Sequence, residues 1–250
     1  MSFEILKSTE LFSILDSVDS TNNYAMARIH ADMAKHGMAW FAHEQTAGRG
    51  QPGKNWESSA GQNIILSIAI QPSKVFFQNQ FYFNAVISNA CNDFFRKYAG
   101  GETFVKWPND IYWRDRKAGG ILIENKLMGK NWKWAVVGIG ININQTAFSH
   151  ELGNAVSLKQ ITGKTYDPLT MAKELYELIL TEINGITTGH LPAILVRYNE
   201  NLFKKNQIVR LKKDGRIFET CIKGVNENGQ LLTEDIVENL YRNGEVEFVI

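Results

Sequence analysis

From residue 204 onward the chain has no helical repeat, only short apolar stretches separated by Asp214-Gly215, Asn228-Gly229 and Asn243-Gly244. Such pairs tolerate the positive φ that type I′ hairpin turns demand. The tail is therefore expected to be strands over Gln207–Leu211, Ile217–Val225, Gln230–Thr233, Ile236–Tyr241 and Val246–Ile250. Short strands meandering between tight turns predict a small SH3-like β-barrel that packs on a larger partner. The preceding residues alternate strand-like and helix-like stretches, so two domains are expected, 1–203 and 204–250. In the first, Phe12–Val18, Met38–Glu44, Ile64–Ile70, Thr103–Lys106, Ile111–Trp113, Ile121–Lys126 and Trp134–Ile143 read as strands. Helical patterns run from about 21 to 35, 78 to 98, 171 to 183 and 191 to 203. Consecutive short strands flanked by helices predict an α+β fold with a mixed sheet rather than a doubly wound one.

Composition excludes several classes of function. With 27 Lys+Arg against 26 Asp+Glu, no polyanion-binding surface is written into the chain, and no nucleic-acid partner is expected. Lys204-Lys205 and Lys212-Lys213 read as a solvated rim. Apolar runs such as Ile64-Ile65-Leu66 fall far short of the ~18 residues that span a bilayer, and Glu4, Lys7 and Glu10 break any secretory signal. No membrane association and a cytoplasmic location are therefore expected. Two cysteines, Cys91 and Cys221, cannot form a disulfide framework and read as buried packing thiols. No pair among His30, His36, His43, His150 and His190 has the i, i+4 spacing of a zinc-binding helix.

Three clusters could hold chemistry. Gly48-Arg49-Gly50-Gln51-Pro52-Gly53 has the letters of a dinucleotide fingerprint, but loop residues rather than a helix follow it. What remains is a flexible loop, Thr46–Asn63, whose glycines expose backbone N–H groups and whose Arg49 offers a forked cation to phosphate or carboxylate. Lys106-Trp107-Pro108-Asn109-Asp110 and Lys117-Ala118-Gly119-Gly120 place two cations and a carboxylate at strand ends. Glycines inside a strand weaken it unless a backbone or a ligand comes close. Gly138-Ile139-Gly140-Ile141-Asn142-Ile143-Asn144 sets two asparagines on one strand face.

Taken in order, Asp19-Ser20-Thr21-Asn22, Gly48-Arg49-Gly50 with Trp56, Lys106-Trp107-Pro108-Asn109-Asp110, Lys117-Ala118-Gly119-Gly120-Ile121-Leu122-Ile123-Glu124 and Gly138-Ile139-Gly140-Ile141-Asn142 resemble biotin protein ligase. The resemblance covers nearly the whole chain and implies a class II synthetase-like catalytic domain followed by an SH3-like one. It implies that biotin and ATP form biotinoyl-5′-AMP and pyrophosphate. The acyl group would then pass to a lysine on the biotin carboxyl carrier protein or domain of acetyl-CoA carboxylase or a related carboxylase.

The resemblance also implies roles. Ser20, Thr21, Asn22 and Gln45 would orient the neutral ureido ring, with Gly48, Arg49, Gly50, Gln51, Lys117, Gly119 and Gly120 completing the biotin site. Arg49, Trp56, Lys106, Asn109, Lys117 and Asn142 would meet the nucleotide. Lys117 and Arg49 would neutralise the repulsion between carboxylate and α-phosphate, and Asp110 would orient or deprotonate the acceptor amine. Mg²⁺ is expected with ATP, with no ligand assignable. The loop would exclude water from the adenylate.

Many members have an arginine-rich loop where this chain has Gln51 and Pro52, and with only nineteen residues before Ser20 no N-terminal DNA-binding domain is expected. A homodimer through sheet edges is possible. The rival readings are a lipoate ligase of the same superfamily and a non-catalytic biotin-binding sensor. An octanoyltransferase would need a nucleophilic cysteine in a pocket motif, which neither Cys91 nor Cys221 provides.

Overall fold

The structure is a computed structural model that describes residues 11–51, 53–78, 80–129, 131–149 and 154–249. Glu4, Lys7, Glu10, Pro52, His150 and Ile250, invoked above, lie outside the described residues.

In chain order the elements begin β1 (Phe12–Val18), α1 (Thr21–His30), β2 (Ala39–Gln45), β3 (Ile64–Ile70), α2 (Gln80–Ala99), β4 (Thr103–Lys106) and β5 (Asp110–Trp113). They continue β6 (Arg116–Met128), β7 (Asn131–Ile141), α3 (Leu158–Thr162), α4 (Pro168–Ile183) and α5 (Leu191–Glu200). The tail holds β8 (Ile208–Lys213), β9 (Arg216–Val225), β10 (Leu231–Glu234), β11 (Glu238–Tyr241) and β12 (Glu247–Val249). The chain forms two compact units, one of residues up to Ser73 with Ala118–Thr181, the other of Lys74–Lys117 with Glu182–Ile250.

The first unit is built on strands in the order β1-β2-β3-β7-β6. Only β1 and β2 run parallel; β2–β3, β3–β7 and β7–β6 are antiparallel. Every residue of β3 is buried, as a run of six apolar residues broken only by Ser67 requires of a strand covered on both faces. On one face Trp40, Ala69, Trp134 and Val136 pack against Ala25 and Ile29 of α1. The period of Ala25 and Ile29 is what lets one side of a ten-residue helix lie flat on the sheet. β6 extends beyond the expected Ile121–Lys126 because the ladder continues through the glycines, with Gly119 opposite Ile141 and Gly120 opposite Gly140.

In the second unit, α2 buries Phe83, Val86, Ile87, Ala90, Phe94 and Phe95, the stripe expected from spacing. β4 and β5 form a hairpin. Arg197 on α5 pairs with Asp93 of α2 and, at 3.0 Å, with Glu182. The tail strands pair as expected but do not close. Their order is β11-β10-β9-β8-β12, an open five-stranded sheet, so the SH3-like barrel expected above is corrected. Closure would require the edge strands β11 and β12 to pair; instead the four residues of β11 pair with β10 and the three of β12 with β8. Turn chemistry specifies hairpins, not closure. Only Asp214-Gly215 has positive φ at both residues; at the other two turns the glycine alone does.

Cys91 is fully buried and its thiol is pushed up by desolvation, whereas Cys221 is only partly buried. Among the described residues no helix is long and apolar enough to cross a membrane.

Candidate functional site

In the first unit the expected residues gather at the start of α1. Ser20 has extended backbone and caps the helix, its hydroxyl accepting from the Asn23 N–H at 3.5 Å. The next residue, Thr21, donates its N–H to Gln45 Oε1 at 2.8 Å, and its Oγ1 lies 3.0 Å from the same oxygen. Gln45 is available because β1 and β2 run parallel with Val18 opposite Gln45, which brings the end of β2 beside the turn into α1. Asn22 Nδ2 donates to Glu124 Oε2 at 2.8 Å and to the Leu122 carbonyl at 3.3 Å. Ser67, in the middle of β3, has its Oγ 2.7 Å from Thr21 Oγ1 and 2.6 Å from Asn22 Oδ1. Ser20, Thr21, Asn22 and Ser67 are all buried.

The loop after β2 is folded rather than loose. Gly50 N–H donates to Lys54 O at 3.0 Å, Lys54 N–H to Gln51 O at 2.8 Å and Trp56 N–H to Gly48 O at 2.9 Å, with Gly53 at φ +79. A side chain at Gly48 would overlap the Trp56 carbonyl and one at Gly140 the Trp56 indole, so both positions require glycine for close approach. Gly138 is constrained likewise by the Asn22 amide. Arg49 meets Glu124 Oε1 at 3.0 Å and donates to Asn23 Oδ1 at 2.7 Å. A Cβ at Gly119 would come within 2.9 Å of the Gly140 carbonyl oxygen. The buried Asn142 is bound into its surroundings: its N–H donates to Ala118 O at 2.8 Å and its Nδ2 to Val156 O at 3.2 Å.

The second unit holds Lys106, Asn109, Asp110 and Lys117. Lys117 Nζ and Asp110 Oδ1 are 2.8 Å apart. Both are about a third exposed or less, and a pair in that setting stabilises by no more than about 1 kcal/mol. Lys106 faces Asp110 across the β4–β5 hairpin. Its ammonium donates to the Tyr112 hydroxyl at 3.1 Å and lies 4.7 Å and 5.0 Å from the ring centres of Tyr112 and Phe248. Burial first, and the Asp110 charge second, push the Tyr112 phenol far up, which keeps it neutral. Pro108 O accepts from the Tyr198 hydroxyl at 2.8 Å and from Asn84 at 3.1 Å, which anchors the turn leading to Asn109 and Asp110.

Sequence reasoning missed Ser67, Glu124 and the aromatic seat of Lys106. Ser67 had a signal, a single hydroxyl inside Ile64–Ile70. Glu124 ends a quoted motif, but only the fold shows it facing Arg49 and Asn22. Among the described residues no three or more His, Cys, Asp or Glu side chains converge as metal ligands.

Residues 14–142 match the Biotin/lipoate A/B protein ligase family. The bifunctional ligase/repressor BirA of Escherichia coli is 30% identical over 244 residues, covering 94% of this chain and 73% of BirA. The biotin–[acetyl-CoA-carboxylase] ligase of Mycobacterium tuberculosis is 31% identical over 135 residues, 53% of this chain and 49% of that protein. A biotin protein ligase from Aquifex aeolicus, solved in complex with biotin and ATP, superposes with a TM-score of 0.79 at 25% identity, covering 95% of this chain and 98% of that one. The match over residues 14–142 takes in β1, α1, the glycine hairpin, β6 and β7, and with these relatives it shows that the chain belongs to the biotin/lipoate A/B protein ligases, as a biotin protein ligase family member.

Proposed function

We propose that this protein activates biotin with ATP and passes the acyl group to a lysine on a biotin carboxyl carrier protein or domain. In the first step a carboxylate oxygen of biotin attacks the α-phosphorus of ATP, the bond to the β-phosphate breaks, and pyrophosphate leaves. In the second, a lysine amine attacks the acyl carbon, AMP leaves and the amine loses a proton. The observation that supports this reading best is the neutral hydrogen-bonding cluster of buried Ser20 and Thr21 with partly buried Gln45, beside the Gly48–Trp56 hairpin. A neutral polar ring needs a few fixed donors and acceptors away from water, not charges.

Arg49 and Lys117 supply the charge for the reacting anions, and Lys106 serves the phosphates. Trp56 and Asn142 serve the nucleotide together with Asn109. Gly48, Gly50, Gln51, Gly119 and Gly120 let backbone approach biotin. Asp110 orients or deprotonates the amine. A divalent cation would be held mainly through the ATP phosphates and water. Residues 1–203 do the chemistry, and 204–250 support it.

Biotin-dependent exchange of labelled pyrophosphate into ATP tests the reading. Exchange with biotin is expected; exchange with lipoate but not biotin would select a lipoate ligase, and binding of biotin without exchange would select a sensor.

A further inference from the structure

The turn that leads into Asp110 is short, and it is held from outside its own hairpin. Lys106 and Asp110 are the last pair of the β4–β5 ladder, so only Trp107, Pro108 and Asn109 connect the two strands. Proline has no N–H, which leaves the carbonyl as the one main-chain polar group of Pro108. Two donors from different helices reach that oxygen: the Tyr198 hydroxyl of α5 at 2.8 Å and Asn84 Nδ2 of α2 at 3.1 Å. A carbonyl oxygen has two lone pairs, and two donors engage both. Trp107 is tied down as well, its Nε1–H donating to the Gly229 carbonyl at 2.9 Å.

Both helix donors are fixed in that role. Tyr198 is fully buried, with its ring edge-on to Phe81 and the ring centres 5.2 Å apart. Burial first, and the Asp110 charge second, push the Tyr198 phenol far up, so the hydroxyl keeps the hydrogen it donates. Asn84 must turn its nitrogen toward Pro108, because an amide oxygen in that place would repel the carbonyl. β4 and β5 have only four residues each, so these outside bonds set the position of the turn more than the ladder does.

From this arrangement we infer that Tyr198 and Asn84 are positioning residues for the transfer step: by clamping the Pro108 carbonyl between two helices, they fix where the Asp110 carboxylate meets the acceptor amine. Both act through the main chain of the turn, two residues ahead of Asp110. A reacting group displaced by about 1 Å costs on the order of 100-fold in rate, so the loss of one bond of the clamp is felt even though Asp110 itself is intact. The assignment rests on the ligase reading above and deepens it, adding residues of α2 and α5 to its second step.

The test compares Tyr198→Phe and Asn84→Ala, each alone and combined with Asp110→Ala, in pyrophosphate exchange and in single-turnover transfer to the carrier from preformed adenylate. Tyr198→Phe removes one oxygen and keeps the ring against Phe81; it should slow transfer about fivefold more than exchange, and Asn84→Ala, whose bond is longer, about threefold more. In the Asp110→Ala background either change should alter transfer by less than about twofold, because the clamp then has no carboxylate to place. A merely structural role would slow both steps together and would act with equal force whether or not Asp110 is present. Thermal melts identify variants that lose the fold, and should Tyr198→Phe be one of them, Asn84→Ala at its half-buried position makes the same comparison. Equal losses in exchange and transfer, or an undiminished effect in the Asp110→Ala background, would overturn the assignment. A wild type without biotin-dependent exchange would overturn the ligase reading itself, and the clamp's role with it.

Discussion

The two units hold polar side chains in opposite settings. At the start of α1 the polar groups of Thr21, Asn22 and Ser67 are neutral, buried and satisfied by one another, so their orientation is settled before any ligand arrives. The cluster around the β4–β5 hairpin is the reverse: Lys117 and Asp110 pair at the surface, and Lys106 rests on aromatic rings. Long ammonium side chains with partly exposed partners can exchange them when a phosphate or an amine arrives. The contrast is between a rigid neutral cluster whose geometry is set by the fold and a charged cluster whose partners can change; under the proposed function the first would choose the acid and the second would speed its reaction.

Substitutions can break that contrast. Lys117→Ala should have the largest effect, lowering biotin-dependent pyrophosphate exchange at least ~100-fold if one charge-stabilising contact is worth ~2.7 kcal/mol, with the KM for biotin moving far less. Gly138→Ala should do the opposite. Its Cβ displaces the Asn22 amide, so the KM for biotin should rise roughly tenfold, as for overpacking of about 1–3 kcal/mol, while the KM for ATP stays put. Asp110→Ala should slow transfer to the carrier about tenfold more than it slows exchange, measured by single turnover from preformed adenylate. An equal loss in both steps would remove its role at the amine. Phe248→Ala takes one ring from Lys106 and should raise the KM for ATP about threefold, in line with a cation–π contact of about 0.5–1 kcal/mol.

The smallest effect concerns acid stability. The Asn23 side chain, then the Ser20 backbone, hold the Asp19 carboxyl below its ordinary value of 3.8. Its contribution is therefore present above pH 3.8 and is lost as pH falls through the lower folded value. Asp19 is exposed, so Asp19→Asn should flatten only slightly the fall in melting temperature at acid pH.

Much of this was legible in the sequence, and the exceptions have physical causes. Ile64–Ile70 is a strand with the bounds expected, because six apolar residues, four of them β-branched isoleucine, interrupted only by Ser67 fit a strand buried on both faces. The α1 start was readable from Ser20 as a cap. α3 was missed because five residues are too few to show a helical period. The barrel was wrong because hairpin turns say which strands are neighbours in sequence and nothing about whether the last edge meets the first. Ser67 was passed over because a lone serine in an apolar run more often fills space, and only the arrival of Thr21 and Asn22 over it turns the hydroxyl into a hub.

The most direct measurement is the intact mass of a biotin carboxyl carrier domain after incubation with this protein, ATP and biotin. The account predicts a single added biotinoyl group on one lysine, with AMP and pyrophosphate formed in equal amounts. An unmodified carrier, or one that gains a lipoyl group from lipoate but nothing from biotin, would contradict it.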